Sequence, residues 1–153
     1  MQIRLARAGD VDAIRGLVRD AYAIYVPRIG REPAPMTADY GALVDTGAVW
    51  VATEGQRIVG VLVLQPTAGS LLLENVAVRP ERQGRGIGRM LIAFAEREAA
   101  RRGFDEVTLY TNAKMTENLS FYPALGYTAV AWRSEYGFDR VFFRKVIRSQ
   151  PPE

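Results

Sequence analysis

A short segment rich in glycine and arginine carries the clearest chemical signal in this sequence. Residues 83–89 read Gln-Gly-Arg-Gly-Ile-Gly-Arg and separate an apolar segment from a stretch with helical spacing. Glycines let backbone N–H groups approach a ligand closely, and the N-terminus of a helix favours an anion. Arg85 and Arg89 add two positive charges to the segment. The pattern therefore predicts a loop that binds phosphate.

Two familiar phosphate-binding motifs do not fit this loop. A Walker loop requires a lysine directly after its last glycine, and no lysine is near. A dinucleotide-binding fingerprint requires glycine or alanine at its third position, where this chain has Arg89. A large side chain there would prevent the close packing of helix on strand. The glycines alone are also compatible with an ordinary tight turn into a helix.

The composition narrows the chemistry that the chain can perform. Among 153 residues there is no cysteine and no histidine, so thiolate nucleophiles and Ser-His or Cys-His catalysis are excluded, and no metal site is expected. A general acid or base must then be Asp, Glu, Tyr, Lys or water. With 20 Lys and Arg against 17 Asp and Glu, the net charge is +3, without the basic run that would predict a nucleic-acid partner.

The periodicity of apolar residues predicts the elements that must position these residues. The strands are expected at residues 2–6, 48–53, 57–64, 71–78, 106–111, 127–133 and 139–147, and the helices at residues 11–25, 38–45, 86–102 and 114–122. The strand–helix–strand unit requires one parallel pair, whereas the hairpins require antiparallel pairs. The predicted fold is therefore α/β, with a mixed sheet of about seven strands and helices on both faces.

Four local features are predicted together with these elements. Residues 26–36, which contain three prolines, are expected to form a loop, and Thr37 is expected to cap the helix that follows. In the long helix, Met90 is expected to face inward. Pro123 lacks a backbone donor and restricts the preceding residue, so a kink or break is expected at Tyr122.

At its fixed positions the glycine loop matches the pattern Gln/Arg-x-x-Gly-x-Gly/Ala. With the apolar strand that ends in Val-Ala-Val at residues 76–78, it resembles the acyl-CoA signature of the GNAT superfamily of N-acyltransferases. The later segment at residues 121–127, Phe-Tyr-x-x-x-Gly-Tyr, resembles a second motif of that family at the usual separation. The order of the predicted elements is similar to the GNAT fold over nearly the whole chain.

The resemblance implies that acetyl-CoA is the co-substrate of this protein. The strand end would offer backbone groups to the pantetheine arm, and the loop would hold the pyrophosphate. The residues that the resemblance assigns to acetyl-CoA are Val76, Ala77, Val78, Gln83, Gly84, Arg85, Gly86, Ile87, Gly88, Arg89 and Asn118. Asn118 replaces an asparagine that many members carry where this chain has Met115, and Asn112 is the less favoured substitute.

Two residues are the candidates for catalysis of acyl transfer to an amine. Tyr122 matches the family's tyrosine and is the candidate general acid for the departing thiolate. Glu74 lies in an apolar strand, where an unpaired carboxylate is costly, and it is the candidate base, with water as the alternative. A half-buried core tyrosine and a solvent-facing strand glutamate are the structural interpretations of the same residues. Tyr110 occupies the place of the base in members that acetylate protein N-termini, which argues against such a substrate.

The acceptor is expected to contact the first helix, the loop after it and the last hairpin. The residues predicted to bind it are Tyr25, Arg28, Arg31 and Asp39, with Tyr22 and Tyr136 as further candidates. Two arginines in one loop suit a carboxylate, so a small molecule that carries both an amine and a carboxylate would fit.

The sequence predicts an N-acetyltransferase that acts on a primary amine of a small molecule by direct attack. It is expected to be one domain over residues 1–148 with a frayed tail at residues 149–153, cytoplasmic and without membrane contact, with a homodimer left open. The alternatives are a protein of the same fold that binds coenzyme A without turnover, and a nucleotide-binding redox protein, against which Arg89 argues.

Overall fold

The computed structural model describes residues 1–147, so the predicted frayed tail at residues 149–153 lies outside the described residues. Seven strands form one sheet in the order β1-β2-β3-β4-β5-β7-β6. The strands are β1 (Gln2–Leu5), β2 (Val49–Glu54), β3 (Arg57–Thr67), β4 (Ser70–Val78), β5 (Glu106–Asn112), β6 (Thr128–Glu135) and β7 (Phe138–Val146). The helices are α1 (Val11–Tyr22), α2 (Val26–Ile29), α3 (Tyr40–Asp45), α4 (Ile87–Arg101) and α5 (Thr116–Ala124).

The sheet mixes both strand directions, as the connections require. β4 and β5 are parallel, from Ser70 opposite Glu106 to Leu73 opposite Leu109, and α4 lies between them in the chain. A parallel pair needs such a crossover, whereas a tight turn serves the antiparallel pair of β6 and β7. The predicted α/β class with a seven-stranded mixed sheet is confirmed.

The contacts divide the chain into two compact units. The first contains residues 1–64 and 74–93, and the second contains residues 65–73 and those from 94 onward. The core of the first unit includes Ile14 and Leu17 of α1, since the apolar positions of that helix recur every three or four residues on one face. The core of the second unit includes Leu109 of β5 and Phe143 of β7, whose partnered positions lie on one face of the sheet.

Glycine at position 60 of β3 allows α4 to approach closely. A Cβ atom there would lie 2.9 Å from Cδ1 of Leu91 and 3.3 Å from both the Cβ of Ala52 and the Cγ2 of Ile87. Such distances are shorter than packed carbon atoms tolerate, so these side chains would have to give way to any side chain at position 60. The side chains of Ile87 and Leu91 therefore pack directly on the backbone of β3.

The segment after α1 is more helical than the sequence predicts. α2 begins within the expected loop, with Pro27 in its first turn, where a missing donor costs nothing. A 3-10 turn at Ala34–Thr37 follows. The predicted cap, Thr37, is wrong: α3 begins later, and the carboxylate of Asp39 accepts a hydrogen bond from the backbone of Ala42 at 3.1 Å.

Two further predictions about helices are corrected by the structure. Of the kink or break expected at Tyr122, the break does not occur, because α5 continues through Pro123 and ends at Ala124. The lost donor falls in the last turn, where few helical bonds remain to be lost. Met90 is 42% exposed rather than inward, since it stands in the first turn of α4 beside the buried Leu91.

Candidate active site

Gly84 and Gly86 shape the loop before α4. Their φ angles are +79° and +85°, a backbone region that side chains with a Cβ adopt with strain. Both glycines are exposed, and nothing lies within 4 Å of a Cβ built on either one. The loop is therefore bare backbone that faces open space, as a close approach by a phosphate requires.

The first turn of α4 directs donors out of the same loop. The first hydrogen bond into the helix runs from the N–H of Met90 to the carbonyl of Gly86 at 3.0 Å. The N–H groups of residues 87–89 precede it and have no acceptor within the helix. The exposed guanidinium groups of Arg85 and Arg89 flank these donors. The arrangement fits the pyrophosphate of coenzyme A, which carries negative charge and accepts several hydrogen bonds.

Hydrogen bonds to β3 and β4 hold the entrance of the loop. Nε and Nη2 of Arg79 donate to the carbonyl of Ile58 at 3.0 and 2.9 Å. Nε2 of Gln83 donates to the carbonyl of Val78 at 3.1 Å. The predicted cofactor residue Gln83 therefore also fixes the turn, because it ties the loop to the end of the strand from which it leaves.

Two ion pairs brace the same entrance from outside. Arg82 lies 2.8 Å from Glu54 and lowers the pKa of that carboxyl, and Arg57 lies 3.3 Å from Glu81. Both pairs are exposed, so each adds little to stability. Their effect is to restrict the 3-10 turn at Pro80–Arg82 that leads into the glycines.

Burial alternates along β4 from residue to residue. Glu74, Val76 and Val78 are partly exposed, whereas Asn75 and Ala77 are buried. The shared parity expected for Glu74, Val76 and Val78 is present. The charge of Glu74 contributes to the raised pKa of Tyr40, so the carboxylate lies within electrostatic reach of that phenol.

A buried polar network that the sequence analysis missed surrounds Asn75. The hydroxyl of Tyr22 donates to Oδ1 of Asn75 at 2.6 Å, and Nδ2 of Asn75 donates to the hydroxyl of Tyr40 at 3.0 Å. Tyr40 in turn donates to the carbonyl of Pro35 at 2.6 Å, and its burial raises the pKa of its phenol. An amide in an apolar strand was the signal for it, because a buried amide must find partners.

The second unit positions Tyr122 among aromatic rings. Tyr122 on α5 is 5% exposed, and its ring centroid lies 5.3 Å from Phe121, 5.9 Å from Tyr127 and 5.7 Å from Phe143. The edge contacts with Phe121 and Tyr127 suit the ring quadrupole. These contacts restrict the ring of Tyr122 to one orientation.

Glu96 supports that aromatic cluster from α4. Its Oε2 accepts the hydroxyl of Tyr127 at 2.9 Å, and its Oε1 lies 3.0 Å from Nζ of Lys145. The same Nζ donates to the carbonyl of Leu125 at 2.9 Å. Burial, and next the charge of Glu96, raise the pKa of Tyr127. Tyr127 is thus held as a neutral phenol.

The asparagines considered for the pantetheine arm have different surroundings. Nδ2 of Asn118 donates to Oγ1 of Thr111 at 2.9 Å, and the sulfur of Met115 lies 3.9 Å from the same oxygen. Oδ1 of Asn112 accepts the backbone N–H of Lys114 at 2.9 Å, which closes a turn before α5. Asn118 retains its side-chain carbonyl as an acceptor, whereas the carbonyl of Asn112 is engaged in the turn.

Most of the predicted acceptor residues belong to the first unit, as do Glu74 and the glycine loop, whereas the further candidate Tyr136 belongs to the second unit, with Tyr122 and Asn118. The guanidinium of Arg28 lies 5.0 Å from the ring centroid of Tyr25. Arg31 is exposed, and Asp39 is engaged as the N-cap of α3.

Residues 1–147 contain neither a metal-binding cluster nor a helix suited to a membrane. That part of the chain contains no cluster of three or more acidic side chains that would hold a metal ion. Within the same residues, none of the helices has the length and apolar character that a membrane span needs.

The comparison with protein families decides the identity of the fold. The model of the acetyltransferase (GNAT) domain matches residues 45–129, more than half of the chain. The chain belongs to the GNAT acetyltransferase family. This GNAT protein is therefore an acyltransferase by family, and acetyl-CoA is the co-substrate that its family uses. The dinucleotide-dependent redox alternative is set aside. No curated protein matches the chain significantly.

Solved structures share the whole fold of this GNAT protein at low identity. PaiA N-acetyltransferase from Thermoplasma acidophilum, in complex with coenzyme A, is 17% identical with a TM-score of 0.78, over 95% of this chain and 98% of that one. The putative acetyltransferase yncA from Salmonella typhimurium, with acetyl-CoA, is 19% identical with a TM-score of 0.73, over 100% and 97%. A ribosomal-protein-alanine N-acetyltransferase from Brucella melitensis is 21% identical with a TM-score of 0.75, over 95% and 99%.

Proposed function

We propose that this GNAT protein transfers the acetyl group of acetyl-CoA to a primary amine of a small molecule. The observation that carries the proposal is the loop at residues 83–89, in which two left-handed glycines and the first turn of α4 present bare donors between two arginines. The donor set suits the pyrophosphate of the co-substrate. Acetyl-CoA supplies an acetyl group activated as a thioester.

Acyl transfer needs a proton donor and a proton acceptor among the residues of this chain. The amine nitrogen forms a bond to the thioester carbon, and the carbon–sulfur bond breaks. Tyr122 donates its phenolic proton to the departing sulfur, and Glu74, or water, accepts the proton that the amine loses. No covalent enzyme intermediate is required, which agrees with a chain that has neither cysteine nor histidine.

The surroundings of each residue support its role. The rings around Tyr122 keep its orientation constant, so its phenolic hydroxyl is held in one direction. The network of Asn75 fixes the backbone of β4 on both sides of that residue, and Glu74 and Val76 are its direct neighbours. Both groups are thus attached to rigid elements.

The binding of the acceptor is assigned to Tyr25, Arg28 and Arg31. Arg28 stacks near the ring of Tyr25, which holds the guanidinium on the segment that follows α1. Asp39 contributes indirectly, because as the N-cap it fixes the start of α3. The protein is proposed to work as one domain in the cytoplasm, with small molecules as its partners.

Release of free thiol from acetyl-CoA in the presence of a library of amines tests the proposal. The protein contributes no thiol of its own, so every thiol detected comes from turnover. We expect release that depends on the amine and stops when the amine is exhausted. Binding of coenzyme A without thiol release from any amine would instead show a sensor or interaction module. If NAD(P) rather than coenzyme A raised the melting temperature, the assignment of the loop would be wrong.

A further inference from the structure

The β6–β7 hairpin holds a nearly buried guanidinium that the proposed mechanism does not use. Arg140 on β7 is 8% exposed. Its central carbon lies 4.4 Å from the ring centroid of Tyr110, 5.5 Å from that of Phe138 and 5.7 Å from that of Tyr136. Aromatic faces stabilise the plane of a guanidinium, but they accept none of the hydrogen bonds along its edge.

The hydrogen-bonding capacity of Arg140 is mostly unused. A guanidinium has five N–H donors. Among the described residues, the only hydrogen-bond acceptor of Arg140 is Glu135, which Nη1 reaches at the long distance of 3.3 Å. A charge taken out of water is stabilised only when its hydrogen bonds are made. No nitrogen of Arg140 is among the fully buried atoms that lack a partner in the described residues, so the donors that Glu135 does not take lie at the surface, where an anion can reach them.

The surrounding charge favours a monoanion. Arg133 of β6 lies directly opposite Arg140 and stacks on Phe142 at 4.5 Å. Arg144, further along the same face, is paired with Glu106 at 2.8 Å. The remaining two cations, Arg133 and Arg140, and the carboxylate of Glu135 leave one positive charge on this face of the hairpin. Asp139 precedes Arg140 on β7, so its side chain lies on the other face of the hairpin. There it accepts a hydrogen bond from the hydroxyl of Ser134. One uncompensated charge and a planar fork fit a carboxylate better than a doubly charged phosphate.

The turn of the hairpin stores strain beside this guanidinium. Tyr136 and Gly137 connect the strands, with φ angles of +54° and +80°. Such a two-residue turn favours Asn, Asp or Gly at its first position, and a larger L-residue there costs about 1 kcal/mol. Tyr136 is nevertheless present, 86% exposed, with its ring near Arg140. Strain of this kind persists where the side chain has a function.

We propose that the tip of the β6–β7 hairpin is a binding site for the carboxylate of a small molecule. Arg140 holds the carboxylate through the donors that Glu135 leaves unused, and the ring of Tyr136 covers it. Two sources share this chemistry: the carboxylate of the amine acceptor itself, or a separate carboxylic acid that acts as an effector. Only the first source rests on the proposed function.

Binding of benzoate compared with its neutral analogue benzamide tests the site directly by calorimetry. We expect benzoate to bind about tenfold more tightly, a modest value for a charge-assisted pair. Arg140→Gln and Arg140→Lys should both remove the preference, because lysine keeps the charge but lacks the fork. Arg144→Gln is the matched control on the same strand and face, and it should keep the preference. Equal binding of benzoate and benzamide by the unchanged protein would overturn the proposal.

Tyr136→Asn provides a test that does not remove the buried charge. Asparagine suits the turn, so the melting temperature should rise. If the ring covers the ligand, the affinity for benzoate should fall severalfold in the same variant. A rise in stability with unchanged benzoate affinity would show that Tyr136 takes no part in the site.

Thiol release with L-phenylalanine and with phenethylamine, which lacks only the carboxylate, identifies the source of the anion. A preference for L-phenylalanine that Arg140→Lys abolishes assigns the carboxylate to the acceptor. Benzoate binding without such a preference assigns the site to an effector. If no amine yields thiol, the proposed function fails, and the benzoate comparison still decides the inference.

Discussion

The hydroxyl of Tyr22 on α1 donates a 2.6 Å hydrogen bond to the side-chain carbonyl of Asn75 on β4, 53 residues away in the chain. The amide group of Asn75 extends the link to Tyr40, and Tyr40 extends it to the backbone of the 3-10 turn before α3. The strand that contains Glu74 is therefore fixed to the segments proposed to bind the acceptor by polar groups rather than by apolar packing alone.

Asn75→Leu should lower both stability and acceptor affinity. Leucine keeps the branching of asparagine at Cγ, although it is larger, and it deprives two buried hydroxyls of the amide, at a cost of about 2–3 kcal/mol in the free energy of unfolding. Chemical denaturation measures this loss. Tyr40→Phe is the milder comparison, since it removes a single hydroxyl. An Asn75→Leu protein as stable as Tyr40→Phe would show that the amide does not organise the network.

Tyr122→Phe should lower turnover about 100-fold or more, the usual contribution of a general acid, with the KM for acetyl-CoA little changed. Phenylalanine retains the ring contacts of Tyr122, so the aromatic cluster should stay folded, which near-ultraviolet circular dichroism checks. Tyr127→Phe serves as the control, because it loses the bond to Glu96 and some stability, but should keep turnover within a few fold. An unchanged rate of Tyr122→Phe at every pH would remove Tyr122 as the acid.

Glu74→Gln distinguishes the carboxylate base from water. We expect kcat/KM for the amine to fall more than about tenfold near neutral pH. The deficit should shrink as the pH rises, because a larger fraction of the amine is then neutral without help. Steady-state rates measured across the pH range give this ratio. A deficit that stays constant at all pH values would mean that Glu74 orients the acceptor without taking its proton.

Gly86→Val should weaken the binding of coenzyme A. Valine is strained at a φ of +85° by about 1–2 kcal/mol, and the loop must move to relieve it. Calorimetric titration with coenzyme A measures the change, which should be at least about tenfold. Gly16→Ala is the opposite case. Gly16 lies in α1 with a φ that other residues adopt, and nothing lies within 4 Å of a Cβ built on it, so alanine should stabilise the protein by about 0.5–1 kcal/mol. Equal affinity of Gly86→Val and the unchanged protein for coenzyme A would contradict the assigned role of the loop.

Glu98 should contribute stability that is lost in acid. Hydrogen bonds from Arg101, aided by Arg102 and opposed by burial, lower the pKa of Glu98 to about 2 from its ordinary 4.5. A lowered pKa stabilises the fold above the ordinary value, and the contribution disappears as the pH falls from about 5 to about 2. Glu98→Gln should therefore cost about 2 kcal/mol at pH 7, tempered by the exposure of Arg101, and nothing near pH 2.

Thermal unfolding at several pH values measures the effect of Glu98→Gln. Asp12→Asn is the control, because the exposed carboxylate of Asp12 is 3.9 Å from Arg15 and adds little at any pH. A Glu98→Gln protein with the same difference from the unchanged protein at pH 7 and at pH 2 would contradict the linkage.

The parts of the fold that depend on local pattern were predictable from the sequence. Alternation and helical spacing gave all seven strands and the long helix, and glycines placed the loop before α4. The pattern could not give the partners of Asn75, because Tyr22 and Tyr40 lie 53 and 35 residues away. The pattern was wrong about Met90, which is exposed. Helical spacing identifies the apolar face of a helix, but it does not show where along the helix other elements stop packing on that face.

Capping and proline effects were predicted less well, since competing local bonds decide them. Asp39 rather than Thr37 caps α3, because Thr37 still belongs to the preceding 3-10 turn, where its hydroxyl bonds the carbonyl of Ala34 at 3.3 Å. α5 continues through Pro123 and ends at Ala124, two residues later than expected, since a helix loses little at its final turn. The roles of Tyr122 and Glu74 remain predictions that the experiments above decide.

The close approach at Gly60 offers a way to tune the protein without altering any group proposed to touch a ligand. The missing side chain there lets Ile87 and Leu91, in the first turns of α4 after the glycine loop, pack directly on β3. A single methyl group at position 60 would push the side chains of Ile87 and Leu91 slightly away from β3. Affinity for the co-substrate would then be adjustable from inside the core, with the arginines and the loop backbone left chemically intact.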